Sequence, residues 1–189
     1  MPTVGLKDLH YAKITKDDGD SFEYDQPKYI APAISANIEP QVNNANFHGD
    51  DALLETIDAL DSINVALNSD DLPPEVQEDL LGAKVNSDGV IESAINDQAP
   101  YVALGFKAQK ANGKYRFVWL LKGRFRPASR NYQTKEATPA FQTPTHNATF
   151  LGRKKDGKWK FEVEEDQENV AQEVIDDWFD SVYQPTPQG

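Results

Sequence analysis

The stretch YVALGFKAQKANGKYRFVWLLKGRF, residues 101–125, limits the fold more than any other part of the chain. Asn112-Gly113 lies at its middle, and because both residues tolerate positive φ the pair signals a tight hairpin turn. A long run with period-two alternation lies on either side, as a strand requires. Tyr115, Phe117, Trp119, Leu121 and Phe125 fall on one face and are expected to be core, while Arg116, Val118, Leu120, Lys122, Arg124 and Arg126 fall on the other. The preceding run adds Val102, Leu104, Phe106 and Ala108. A hairpin of this length, apolar on one side, requires an antiparallel sheet with a core beneath it.

The rest of the chain reads as further short strands and two helices. Residues 6–14 alternate loosely as a strand, and 29–42 place Ile30, Ile34, Ile38 and Val42 among prolines. Pro32 and Pro40 cannot donate to a ladder, so that segment is expected as an edge-type or interrupted strand. Ile63, Val65 and Leu67 predict a strand over 62–68, leaving 43–61 as an arm or long loop. LPPEVQEDLLG predicts a helix over 73–81: Asp71 as cap, prolines and Glu75 in the first turn, Gly82 at the end, and Val76, Leu80 and Leu81 as the buried stripe. A short strand is expected near 90–95, others near 143–153 and in WKFEVEE, and a second helix over 170–183 capped by Asn169. The pattern is a mainly β (α+β) chain, one domain over 1–189, with consecutive antiparallel strands and a packed helix.

Composition removes several function classes. There is no cysteine, so no disulfide and no thiolate chemistry. The first residues lack the apolar run of a signal peptide. FVWLL is too short to span a bilayer, so synthesis in a cytoplasm is expected and membrane insertion is not. Phosphate-binding, metalloprotease and nucleophile-elbow motifs are absent, and His10, His48 and His146 are scattered and expected at a surface or interface. No catalytic, cofactor-binding or metal-ligating residues are expected. Aromatics alternating to the side opposite the Arg row also argue against a stacking platform for single-stranded nucleic acid.

Charge is segregated. Residues 1–100 balance to −15, residues 101–160 to +12 and residues 161–189 to −9, for a net −12. Blocks this distinct imply that oppositely charged surfaces meet, either between molecules or between neighbouring strands of one chain. The half-apolar second face of the 115–126 strand and the open sheet edges near it point the same way. Edges must be blunted or used, and a chain that uses them can complete its sheet with copies of itself.

APYVALGFKAQKANGKYRFVWLLKGRF, ATPAFQTPT, DGKWKFEVEED, VIDDWFDSVYQP, NSDDLPPEVQEDLLG and NFHGDDALLETIDAL closely resemble, in order, segments of the major tail proteins of long-tailed bacteriophages, the phi13-type group. The resemblance implies two packed antiparallel sheets forming a sandwich or barrel with a flanking helix. It implies six-membered rings stacked head-to-tail into a virion tail tube that conducts double-stranded DNA, assembled in the host cytoplasm. It also implies contacts with a tape measure protein and with tail terminator or distal tail proteins. Phe47, Leu53, Leu54 and Ile57 of the arm, with Arg116, Lys122 and Arg124, become candidate subunit-interface residues, and acidic residues are expected to line the channel. The alternative is a stand-alone β-sheet module that binds nucleic acid or carbohydrate as a monomer.

Overall fold

The computed structural model describes residues 2–49, 52–130, 132, 134 and 143–185, with side chains described outside 45–57. In chain order the elements are β1 (Thr3–Asp17), β2 (Phe22–Tyr24), β3 (Lys28–Tyr29), β4 (Ala33–Gly49), β5 (Ala52–Ser69), α1 (Pro74–Leu81), β6 (Lys84–Val85), β7 (Ile91–Glu92), β8 (Val102–Lys110), β9 (Tyr115–Phe125), β10 (Thr145–Phe150), β11 (Lys160–Glu164) and α2 (Gln172–Asp176). β8 and β9 flank the Asn112-Gly113 turn, where Gly113 has φ +82°. Every ladder is antiparallel, and the main sheet runs β2-β1-β8-β9-β10-β5-β4 without closing. Beyond β8, the N-terminal half of β9 pairs with β11 and its C-terminal end with β10. The sheet therefore divides at β9 and folds over as a β-sandwich with α1 against it.

Two bulges decide which side chains meet. One extra residue in β1 between Lys7 and His10, where Asp8 has φ +55°, shifts the register against β8. One extra residue in β9, between Leu120 and Gly123, does the same on the other flank of β8. A bulge puts two residues opposite one, so the in–out alternation inverts across it. Leu6 before the first bulge and Leu9 and Tyr11 after it thus face the same core. Val118 and Leu120 before the second, and Phe125 after it, likewise share that core.

The main core joins Leu9, Tyr11, Val102, Leu104, Phe106, Val118, Leu120, Phe125, Phe150, Ile63, Val65 and Leu67 to Val76 and Leu80 of α1. A second core lies on the opposite face of β8, β9 and β11, where Ala103, Phe117, Trp119, Leu121 and Val163 are covered by Trp178 and Val182. The β9 face expected to be half-wet is therefore as dry as its partner: Leu120 and Trp119 are both fully buried. Alternation in the sequence marks two faces but does not show that each has a cover.

Both helices differ from expectation in their ends. Asp71 does not cap α1. Pro73 holds the cap position with no side-chain cap bond, and Asp71 instead accepts from the Leu72 amide and from Arg130. Gly82 closes the helix at φ +74°. The C-terminal helix is confined to Gln172–Asp176. Asn169 takes φ +67° and Ala171 holds the cap position. Trp119 Nε1 donates to the Trp178 carbonyl at 2.9 Å, so residues 177–183 follow the sheet surface as a strap instead of continuing a helical turn.

Candidate assembly surfaces

β4 is an edge strand, and its hairpin with β5 outruns the body. β10 pairs with β5 only from Ile63 to Asn68, whereas β4 and β5 remain paired from Ala33↔Ser69 out to Gly49↔Ala52. From Val42 outward the two strands pair only with each other among the described residues. At about 3.3 Å per residue, Val42 to Gly49 adds roughly 25 Å of two-stranded ribbon. The region expected as an arm or loop over 43–61 is thus an extension of two strands, and 62–68 is only the inner end of a longer one.

The chemistry of this hairpin follows its two faces. Inside the body Ile38 packs towards the core beside Val65, its cross-strand partner. Past a bulge at Asp61, Val42 pairs with Leu60, and these are 50% and 44% exposed. An apolar cross-strand pair thus continues the core stripe beyond the chain's own cover. The opposite face of β4, β5 and β10 is polar: Asn37, Glu39, Asn64, Asn147 and Thr149, with Arg126, line a shallow groove of about 330 Å³. Of the expected arm contacts, Phe47 pairs in backbone register with Glu55, Leu53 with His48 and Ile57 with Ala45, and Leu54 lies at a bulge. The side chains of Phe47, Leu53, Leu54 and Ile57 lie outside the described residues.

The basic row is engaged within the chain. Arg116 donates to Glu164 through Nε at 2.9 Å. Lys122, 5% exposed, pairs with Asp17, and Arg124 lies over the Tyr101 ring with its guanidinium carbon 4.1 Å from the centroid. Lys110, also buried, bonds Glu164 and Asp166, while Lys114 pairs with Glu165. Of the two sources of charge segregation, neighbouring strands of one chain account for these pairs. These ion pairs form without a partner molecule, while Arg124 Nε and Asp17 Oδ1 are buried with no hydrogen-bond partner among the described residues.

Two features had no clear mark in the sequence. Asp79 on α1 accepts from Tyr11 at 2.7 Å, Lys13 at 2.7 Å and Lys28 at 2.9 Å, tying the helix to β1 and β3. Burial pushes the Asp79 carboxyl up, but those donors outweigh it and hold the group at about 2. An Asp in an acidic chain signals a solvated face, and only the fold brings three donors to it. His146, expected at a surface or interface, is 1% exposed on β10 with neither ring nitrogen partnered among the described residues. Burial, then Arg130, hold its imidazole below the usual value, with Asp71 opposing. His10, half-buried, stacks on Phe179 at 4.5 Å, and the side chain of His48 lies outside the described residues.

Among the described residues no group of His, Asp and Glu converges as a metal site, and no helix is long and apolar enough to cross a membrane. The family model for phage tail tube proteins matches residues 32–186. Comparison with curated proteins gave no match.

Proposed function

The chain belongs to the phage tail tube protein family, a structural component of the virion tail, and from that premise we propose that copies of it form six-membered rings that stack head-to-tail into the tube through which the genome leaves. The β4–β5 ribbon carries this reading. An open sheet offers β4's unpaired edge, and the ribbon beyond it presents Val42 and Leu60 uncovered. Exposed edges and apolar stripes that run off a body are what a second chain covers. Phe47, Leu53, Leu54 and Ile57 are then contact residues on a neighbouring subunit. Placement within the phi13-type group, contacts with tape measure and tail terminator or distal tail proteins, and assembly in the host cytoplasm belong to the same proposal.

The channel side is the polar face of β10, β5 and β4. A passing polyanion binds a row of Lys and Arg by releasing counterions, and each such contact slows transit. Amides and hydroxyls provide a wet surface without that trap, and the face holds one Glu39 and one Arg126 among Asn37, Asn64, Asn147 and Thr149. The channel is then amide-rich, in place of the carboxylate lining expected from the sequence. Arg116, Lys122 and Arg124, if they contact a neighbour, do so with charge already compensated or stacked in their own chain.

Electron microscopy of the purified protein across concentration and ionic strength tests the proposal. Rings or tubes with a central channel are expected. Monomers under every condition, or virions whose tail shaft lacks this protein, overturn it.

A further inference from the structure

Outside the ribbon, an open groove of about 680 Å³ lies between β2 and the C-terminal strap. Its walls are aromatic: Phe22, Tyr24, Trp178 and Tyr183 line it, with the last two rings stacked at 5.7 Å. Its rim is acidic. Glu23, Asp25, Glu173, Asp177 and Asp180 are exposed there, and none joins an ion pair among the described residues. Trp178 is 3% exposed, yet its indole Nε1 has no acceptor among them. A groove with aromatic walls and carboxylates above fits a peptide with lysine side chains. Lysine stems lie along aromatic surface while the ammonium reaches the rim.

Such a peptide is present in the chain itself. Most of the basic block is paired internally, but Lys154, Lys155 and Lys158 are exposed and without ion pairs among the described residues. They occupy a turn held by the Gly157 amide bonded to the Arg153 carbonyl at 2.8 Å and the Arg153 amide bonded to the Lys158 carbonyl at 2.9 Å. The buried Arg153 side chain grips Asp156 and Gln184 below it. The turn is therefore fixed before it binds, which lowers the entropy lost on docking.

We propose that the groove receives the Lys154–Lys158 turn of a second copy of this chain. The inference rests on the reading that copies of the chain contact one another, and it names a contact separate from the ribbon. Groove and turn adjoin through Arg153, which bonds Gln184 and lies over Phe22, but they are made of different residues, so the contact is complementary and not self-matched.

The chain has no cysteine, so introduced thiols report only the contact being tested. Mixing Asp180→Cys with Lys155→Cys protein under oxidising conditions is expected to give disulfide dimers, at least about tenfold more than either variant alone, because bridging demands close Cα approach. Absence of mixed dimers at concentrations where the unmodified chain assembles, or at its solubility limit, overturns the proposal. Charge reversal gives a second readout. Asp177→Lys/Asp180→Lys and Lys154→Asp/Lys155→Asp chains should each assemble about tenfold less readily or worse, and recover when mixed. If the reversed chains build normal tubes unaided, the groove contact falls and the tube reading stands. If mixed dimers form but no tube ever does, the groove contact stands and the tube reading falls.

Discussion

Trp119 shows how one residue couples the sheet to its cover. It is fully buried, its ring lies over Gly105, and its Nε1 holds the Trp178 carbonyl. A Cβ at position 105 would lie 2.7 Å from the indole, so only glycine fits there without displacing the ring. Trp119→Ala should cost about 3–5 kcal/mol in urea unfolding, the usual range for a buried aromatic. Gly105→Ala should cost about 1–3 kcal/mol through overpacking. A Trp119→Ala protein as stable as the parent would show that the strap does not depend on this ring. Asp79 provides a second test, by pH. Its folded pKa is depressed from 3.8 to about 2, so its contribution is fully present above pH 3.8 and is lost as pH falls towards 2. The size is about 2 kcal/mol. Asp79→Asn should lower stability by about that amount at neutral pH and remove that part of the acid loss between pH 4 and 2. His146 adds an earlier window. Its folded pKa lies below 6.5, so stability declines as pH falls past 6.5, and His146→Leu should abolish that part of the slope.

At the level of elements, β9 and the ribbon divide the work. β9 has partners along both edges and a core on both faces, so it fixes the body. Among the described residues each strand of the outer ribbon pairs only with the other, and Val42 and Leu60 are exposed, the feature on which the proposed subunit contact rests. Val42→Lys with Leu60→Glu, which puts opposite charges across the pair, should leave the unfolding free energy of the isolated chain within about 0.5 kcal/mol, as for surface changes that break no buried contact. The same pair should eliminate tubes in sedimentation and electron microscopy. Retained tubes would remove this face of the ribbon from the assembly. The helices make the complementary point. α1 is recognisable because each of its signals is local, the prolines and Glu75 in its first turn and Gly82 at its end. The second helix stops short of its expected end because Trp178 and Val182, which continue the helical spacing of Val174 and Ile175, pack on the sheet surface instead.

Across the whole molecule, the stabilising features and the proposed assembly surfaces occupy different regions. The paired charge, the two cores and Asp79 lie in the body, while the open edge, the ribbon and the acidic groove remain at its surface. Hydrogen exchange should reflect this separation. Amides of β8 and β9 should exchange slowest in the free chain and change little on assembly, whereas those of 42–49 and 52–60 should gain protection of about tenfold or more when tubes form. Equal protection of the ribbon before and after assembly would mean it has no new partner.

The sequence alone determined what acts over a few residues: the hairpin at Asn112-Gly113, the helix ending at Gly82, the edge character of a strand containing Pro40, and the resemblance that pointed to a tail tube. Those signals are local sterics and order along the chain. Tertiary structure decided where alternation inverts, since a bulge is set by the strand opposite it, as at Asp8 and at Leu121–Lys122. It also decided that Lys122 meets Asp17 and that Asp79 meets Tyr11, Lys13 and Lys28. Such meetings depend on distances between residues far apart in the chain. Charge and hydropathy specify that a side chain needs a partner, and only the folded sheet brings the partner to it.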